Sequence, residues 1–300
     1  EMIAGITTFM TMAYILAVNP SILGATGMDS GAIFTATALA SAIASFCMAF
    51  LANLPFVLSA GMGLNAYFAY TVVLGMGYSW EVALTAVFAE GLVFILLSLT
   101  NVREAIFNAI PQTLKYGVSV GIGLFICFIG LQNAHIAVDS ATLVTIFSFS
   151  QSVKAGTFNS EGITVLLALI GIIITGYLVI KGVKGNILIG IFVTWILGIL
   201  CQLAGLYVPN PDAGFYSLIP SGVVSMPASI APTLFKFDFS IITEHPLDFF
   251  SVLFAFLFVD IFDTLGTLIG CASKADMLDK DGKLPEIKGA LLADSIGTMV

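Results

Sequence analysis

The sequence predicts an all-α polytopic membrane protein, and three observations carry that prediction. Of 300 residues, 59% are hydrophobic and only 9% are charged, whereas an ordinary soluble domain is about 45–50% apolar and about 25% charged. The apolar residues fall into blocks of roughly 17 to 25, the length a helix needs to cross about 30 Å of hydrocarbon. These blocks are apolar on both faces, while the strands of a membrane barrel would alternate in polarity over about ten residues.

Taken in order, spans are expected at residues 2–19, 33–52, 55–74, 80–99, 114–131, 162–181, 185–206 and 247–270, with a ninth opening near 288. The prolines support this division. Pro20, Pro111, Pro209, Pro211, Pro220, Pro227, Pro232, Pro246 and Pro285 fall in connections or at span ends, where a missing N–H does no harm, and only Pro55 abuts a span start. Eight of the ten basic residues, Arg103, Lys115, Lys181, Lys184, Lys274, Lys280, Lys283 and Lys288, lie on one side of this arrangement, leaving Lys154 and Lys236 on the other. The positive-inside rule then puts the N-terminus in the cytoplasm. The chain begins at Glu1 and stops at Val300 inside an apolar block, as expected of a fragment of a longer protein. In the fifth span, Gly117 and Gly121 form a GxxxG pair, continued by Gly123 and Gly130, which predicts close helix packing.

Several kinds of chemistry have no residues to support them. Cys47, Cys127, Cys201 and Cys271 show no paired spacing, so neither a disulfide framework nor a zinc site is indicated. His135 and His245 fall in connections, far from any cysteine or carboxylate cluster, so neither a metal nor a cofactor is expected, and no enzyme. There is no GxxxxGK[ST] loop for ATP, and the scattered basic residues form no stripe for nucleic acid. The net charge of −8 names no cationic partner, because the acids divide between connections and buried positions.

The informative residues are the acids within the spans: Glu90 in the fourth, Asp260 and Asp263 in the eighth, and Asp294 in the ninth. Each charge at a span centre costs about 2.5–3.5 kcal/mol on insertion scales, so these groups must face protein or a water-filled cavity. Asp260 and Asp263 stand three apart on one helix face, and Thr264 and Thr267 extend that face into a polar stripe. A substrate site near the midplane is one reading, with one acid contacting substrate and accepting a proton; a structural aspartate fixing packing or capping a break at Gly266 is the other. Glu90 divides between a supporting and a structural role, and Asp294 lies near a connection and reads as close to the interface. A second feature is PFVLSAGMGLNAYFAY, residues 55–70. Pro55 through Ser59 reads as extended or unwound, and Gly61 and Gly63 make a poor continuous helix. A broken span is expected, with free backbone N–H groups at a half-helix N-terminus and Asn65 adding a donor and an acceptor.

EMIAGITTFMTMAYILAVNP, SAGMGLNAYFAY, FVDIFDTLGTLIG and GALLADSIGTMV, in that order along the chain, resemble the AzgA-like hypoxanthine/guanine permeases of the nucleobase/ascorbate transporter superfamily. The resemblance implies a uracil-permease-like fold of fourteen spans in two inverted repeats of seven, with core and gate domains and a third span half strand and half helix. This chain would cover eight to nine of those spans: residues 1–206 as the first repeat, 207–246 as an extracytoplasmic connection, and 247–300 as the start of the second. It further implies proton-coupled symport of purine bases such as guanine, hypoxanthine and adenine by alternating access in the cell membrane. Asp263 would contact substrate, Asp260 would support it, and Asn65, Ala66, Tyr67, Phe68, Thr264 and Phe262 would complete the contacts, with Glu90 and Asp294 as supporting or proton-coupling acids. A carboxylate suits the N–H edge of a neutral base, and Tyr67, Phe68 or Phe262 its flat face. The partners implied are a purine base, a proton and the bilayer, and a homodimer is one admissible assembly. The alternatives are an anion exchanger on the same fold or a non-transporting structural membrane protein.

Overall fold

The structure, a computed structural model, describes residues 2–300 except 101, 221, 223, 281 and 282, and is mostly helical. Among the described residues, seven helical stretches are long and apolar enough to cross a membrane: Gly5–Gly24, Ser30–Ala52, Trp80–Leu99, Gln112–Asn133, Phe158–Ile180, Asn186–Leu203 and Pro246–Lys274. Each coincides with an expected span to within a few residues. The third and ninth expected spans are helical over shorter stretches. The chain forms two compact units, one of residues 1–13 and 125–226, the other of residues 14–124 and 227–300.

The first unit contains α1 (Met2–Met12), α8 (Phe149–Ala155), α9 (Ile163–Ile180) and α10 (Asn186–Leu203). Helices α9 and α10 pack through glycines that admit a threonine from the partner, Gly171 facing Thr194 and Gly190 facing Thr175. At one end, Ile163, Leu167, Tyr207 and Phe215 form a small core. His135 stacks obliquely on Phe215 with ring centres 5.0 Å apart. One correction to the all-α expectation falls here. Residues Ala137–Ser140 (β1) and Leu143–Ile146 (β2) pair as an antiparallel hairpin, with Asp139 opposite Val144. The branched Val138, Val144, Thr145 and Ile146 around a two-residue turn favour it, and a window wide enough to find spans averages so short a signal away.

The second unit is built from α2 (Ile15–Gly24), α3 (Ser30–Ala52), α4 (Met62–Ala66), α5 (Trp80–Leu99), α6 (Val102–Ala109), the first half of α7 (Gln112–Asn133), α11 (Ser240–Glu244), α12 (Pro246–Lys274) and α13 (Ile287–Met299). Side-chain oxygens start two of the spans: Asp29 Oδ1 accepts from Ala32 N (2.7 Å) and Ser79 Oγ from Val82 N (3.3 Å). Helix α13 lies against both α3 and α5. It can do so because Gly289 abuts the Leu51 carbonyl, Gly297 abuts Ala44, and Gly91 of α5 abuts Met299. Below this contact Met48, Ala52, Leu265, Ile269, Ala290, Leu291 and Ala293 are buried together.

Four further expectations change. Pro20 lies inside α2 rather than at a span end; it cannot donate to the Leu16 carbonyl, a defect membrane helices tolerate where neighbours supply polar groups. Gly266 interrupts nothing, since α12 runs unbroken for 29 residues. Instead Gly266 and Gly270 let α12 approach Val118, Ser119 and Ile122 of α7. Gly117, Gly121, Gly123 and Gly130, expected to make the close packing, have no neighbour among the described residues within 4 Å of a Cβ added there. Lys115, counted among the connections, occupies the first turn of α7 and is buried. The side chain of Arg103 lies outside the described residues.

Candidate functional site

One wall of the site is the third span. Residues 53–61 are neither helix nor strand: Asn53 leaves α3 in the left-handed region (φ 51°), Gly61 is extended, and the segment pairs with no strand among the described residues. Serines of α3 hold the segment: Ser41 and Ser59 hydroxyls are 2.7 Å apart, and Ser45 Oγ accepts from Leu58 N at 3.2 Å. At Gly61 the chain turns into α4 and continues through a wider π turn, Tyr67–Val73. This is the broken span expected from Pro55 and the glycines, its first half neither helical nor laddered.

Within this helix Asn65 is committed on one side. Its Nδ2 donates to Asn19 Oδ1, and Asn19 Nδ2 donates to Thr37 Oγ1 at 2.6 Å. Asn19 and Thr37, both buried, were not foreseen; an amide beside a proline in an apolar span was the signal available. The Tyr67 ring meets Phe256 of α12 edge-on at 4.9 Å. Ala66 is half-buried, and Phe68 is buried at 6% exposure, so its faces serve packing.

The other wall is α12, whose polar stripe divides in two. Asp260 and Thr264 are buried and turn toward α13. The Thr264 hydroxyl stands 2.8 Å from Asp294 Oδ2 and 3.2 Å from Asp260 Oδ1, and Thr298 Oγ1 lies 3.4 Å from Asp260 Oδ2. Asp294, half-buried, is thus joined to α12 through Thr264. Asp263 lies on the other side of the stripe. No side-chain hydrogen bond engages its carboxylate among the described residues, and Oδ2 lies beside Gly61, 2.6 Å from where a Cβ on that glycine would stand. Thr267, on the same side and exposed, spends its hydroxyl on the Asp263 and Thr264 carbonyls.

The remaining expected residues are placed apart. Phe262 joins a ridge with Phe258 (4.8 Å) and Phe254; at about 100° per residue this ridge lies across the helix from Asp260. Glu90 is fully buried in α5, next to the glycine that admits α13. At their ends the two walls are tied by the Tyr78 hydroxyl, which donates to Asp248 Oδ2 at 2.7 Å. That bond raises the Tyr78 phenol above its usual value.

The clasp around Thr264 makes a testable demand. Thr264→Val keeps the shape but leaves two carboxylates facing a methyl, a loss of about 1–3 kcal/mol. The full-length variant in detergent should unfold at a distinctly lower temperature, and Thr264→Ser should stay close to the parent. Equal stability of all three would remove the clasp.

Helices long and apolar enough to cross a membrane, with an interrupted span facing carboxylates, are the arrangement of a multi-pass membrane protein. Residues 1–300 match the permease family (Xan_ur_permease), and the chain belongs to that family. A permease of Methanocaldococcus jannaschii is 51% identical over 301 residues, covering 100% of this chain and 63% of that protein. The guanine/hypoxanthine permease PbuO of Bacillus subtilis is 42% identical over 307 residues (100% and 65%), and the adenine permease AdeP of Escherichia coli 38% over 300 residues (100% and 61%). The chain thus spans somewhat under two thirds of the length of these relatives.

Proposed function

We propose that the protein to which this chain contributes is a proton-coupled symporter that carries purine nucleobases, among them guanine, hypoxanthine and adenine, across the cell membrane by alternating access. The observation that carries this reading is the contrast between neighbouring acids. Asp260 and Asp294 are clasped by threonines, while among the described residues no side-chain hydrogen bond engages Asp263, which stands beside Gly61 at the start of α4. A ligand with N–H donors on a planar edge suits that carboxylate in hydrogen bonding, and Tyr67, in the same half-helix as Gly61, is an aromatic side chain on the facing wall. The relatives that bear guanine, hypoxanthine and adenine in their names support the choice of ligand.

In this reading residues 1–206 form a first repeat and 247–300 open a second, inverted one, joined by the extracytoplasmic connection 207–246. The unit of residues 14–124 and 227–300 would be the core domain and the other unit part of the gate. The bias of basic residues toward one set of connections supports an N-terminus in the cytoplasm. Cells making the full-length protein should accumulate radiolabelled hypoxanthine or adenine, and a protonophore should collapse that accumulation. Uptake indifferent to the proton gradient would remove the symport, and no purine uptake would remove the substrate class.

A further inference from the structure

We infer that Gly61 is a positioning residue for the ligand, because the absence of a side chain there sets where the Asp263 carboxylate stands. This inference rests on the purine-transport reading above.

The backbone gives no reason for glycine at this position. Gly61 has φ −73° and ψ 120°, a conformation open to any residue. It is also the N-cap of α4, where serine, threonine, asparagine or aspartate would ordinarily supply an oxygen to the first free N–H groups; here no side chain caps the helix. Space supplies the reason. An added Cβ would stand 2.6 Å from Asp263 Oδ2 and 3.7 Å from its Cγ, with Leu64 Cδ1 next at 3.5 Å. The only intolerable contact is with the free end of an aspartate, which can swing away. A Cβ at Gly63, two residues on, would meet only Val259 Cγ1, at 4.0 Å.

Two consequences separate the fold from the site. An alanine or serine at position 61 leaves the backbone and the helix start intact, and serine improves the cap. Both drive the carboxylate off the position from which it would meet the edge of the base, and displacements of about 1 Å can cost on the order of a hundredfold where geometry matters.

The test compares hypoxanthine uptake by full-length Gly61→Ala, Gly61→Ser and Gly63→Ala proteins with the parent, reading KM and maximal rate separately alongside the amount of protein in the membrane. The expected result is KM raised at least about tenfold in both position-61 variants, with membrane amount unchanged and Gly63→Ala close to the parent. A KM that stays at the parental value would overturn the inference. So would an equal rise in Gly63→Ala, which would indicate general damage to the helix, or loss of the position-61 proteins from the membrane, which would mean that more than a carboxylate must move. If the parent itself takes up no purine, it is the transport reading that fails.

Discussion

Replacing Asp263 with asparagine should lower hypoxanthine uptake by about 10- to 100-fold, with the protein still present in the membrane. The estimate follows from chemistry at one atom. A hydrogen bond to a charged acceptor contributes about 1.5–3 kcal/mol, and each 1.4 kcal/mol is about tenfold. Asparagine keeps the volume and one acceptor but removes the charge and any proton the carboxylate could take. Because no side-chain hydrogen bond engages Asp263 among the described residues, its substitution orphans no partner there and should leave the unfolding temperature nearly unchanged. Asp260→Asn differs on that point, since Thr264 and Thr298 both reach its carboxylate. Wild-type uptake in Asp263→Asn would show that the substrate contact lies elsewhere on α12.

The second large effect is on folding. Gly289→Ala would set a Cβ against the Leu51 carbonyl, with the carbonyl carbon 2.9 Å and Ala52 Cα 3.1 Å away. These are backbone atoms of α3 and cannot rotate aside, so α13 must retreat as a whole from a packed core. Overpacking of this kind costs about 1–3 kcal/mol and sometimes more. The expectation is a sharp fall in monodisperse protein after detergent extraction, with a lower unfolding temperature in what remains. Gly117→Ala is the control, since nothing among the described residues lies within 4 Å of the added methyl and alanine is the better helix former by about 0.5–1 kcal/mol. If both variants behave alike, the packing of α13 on α3 is wrong.

These two positions also show what could be read from sequence and what could not. The spans were legible because each must cover the same thickness of hydrocarbon, and the break before α4 was legible because proline and glycine announce themselves locally. Asp260, Asp263 and Thr264 were found as charges and hydroxyls in apolar surroundings. Their division into a clasped side and an open side was hidden, because it depends on Asp294 and Thr298, which arrive 30 residues or more later in the chain. Gly117 and Gly121 carried the recognised packing spacing, yet Gly266 and Gly270 make the approach; spacing marks a smooth helix face without saying whether a neighbour uses it. Asn19 escaped notice because only its partners, Thr37 and Asn65, give an isolated amide its meaning.

The non-helical segment before α4 has a consequence for the order in which this protein is made. Between Asn53, whose N–H still bonds the Ala49 carbonyl, and Gly61, whose carbonyl accepts from Asn65 N, the segment runs outside any helix, and each bare peptide group in lipid costs several kcal/mol. The helical remainder, Met62–Val73, rises only about 18 Å, well short of the hydrocarbon thickness. Such a span cannot leave the translocon sideways as an independent helix. It has to wait beside the nascent chain until α3 offers Ser41 and Ser45, so the stretch proposed to face the ligand is also the one whose biogenesis depends on its neighbours being in place.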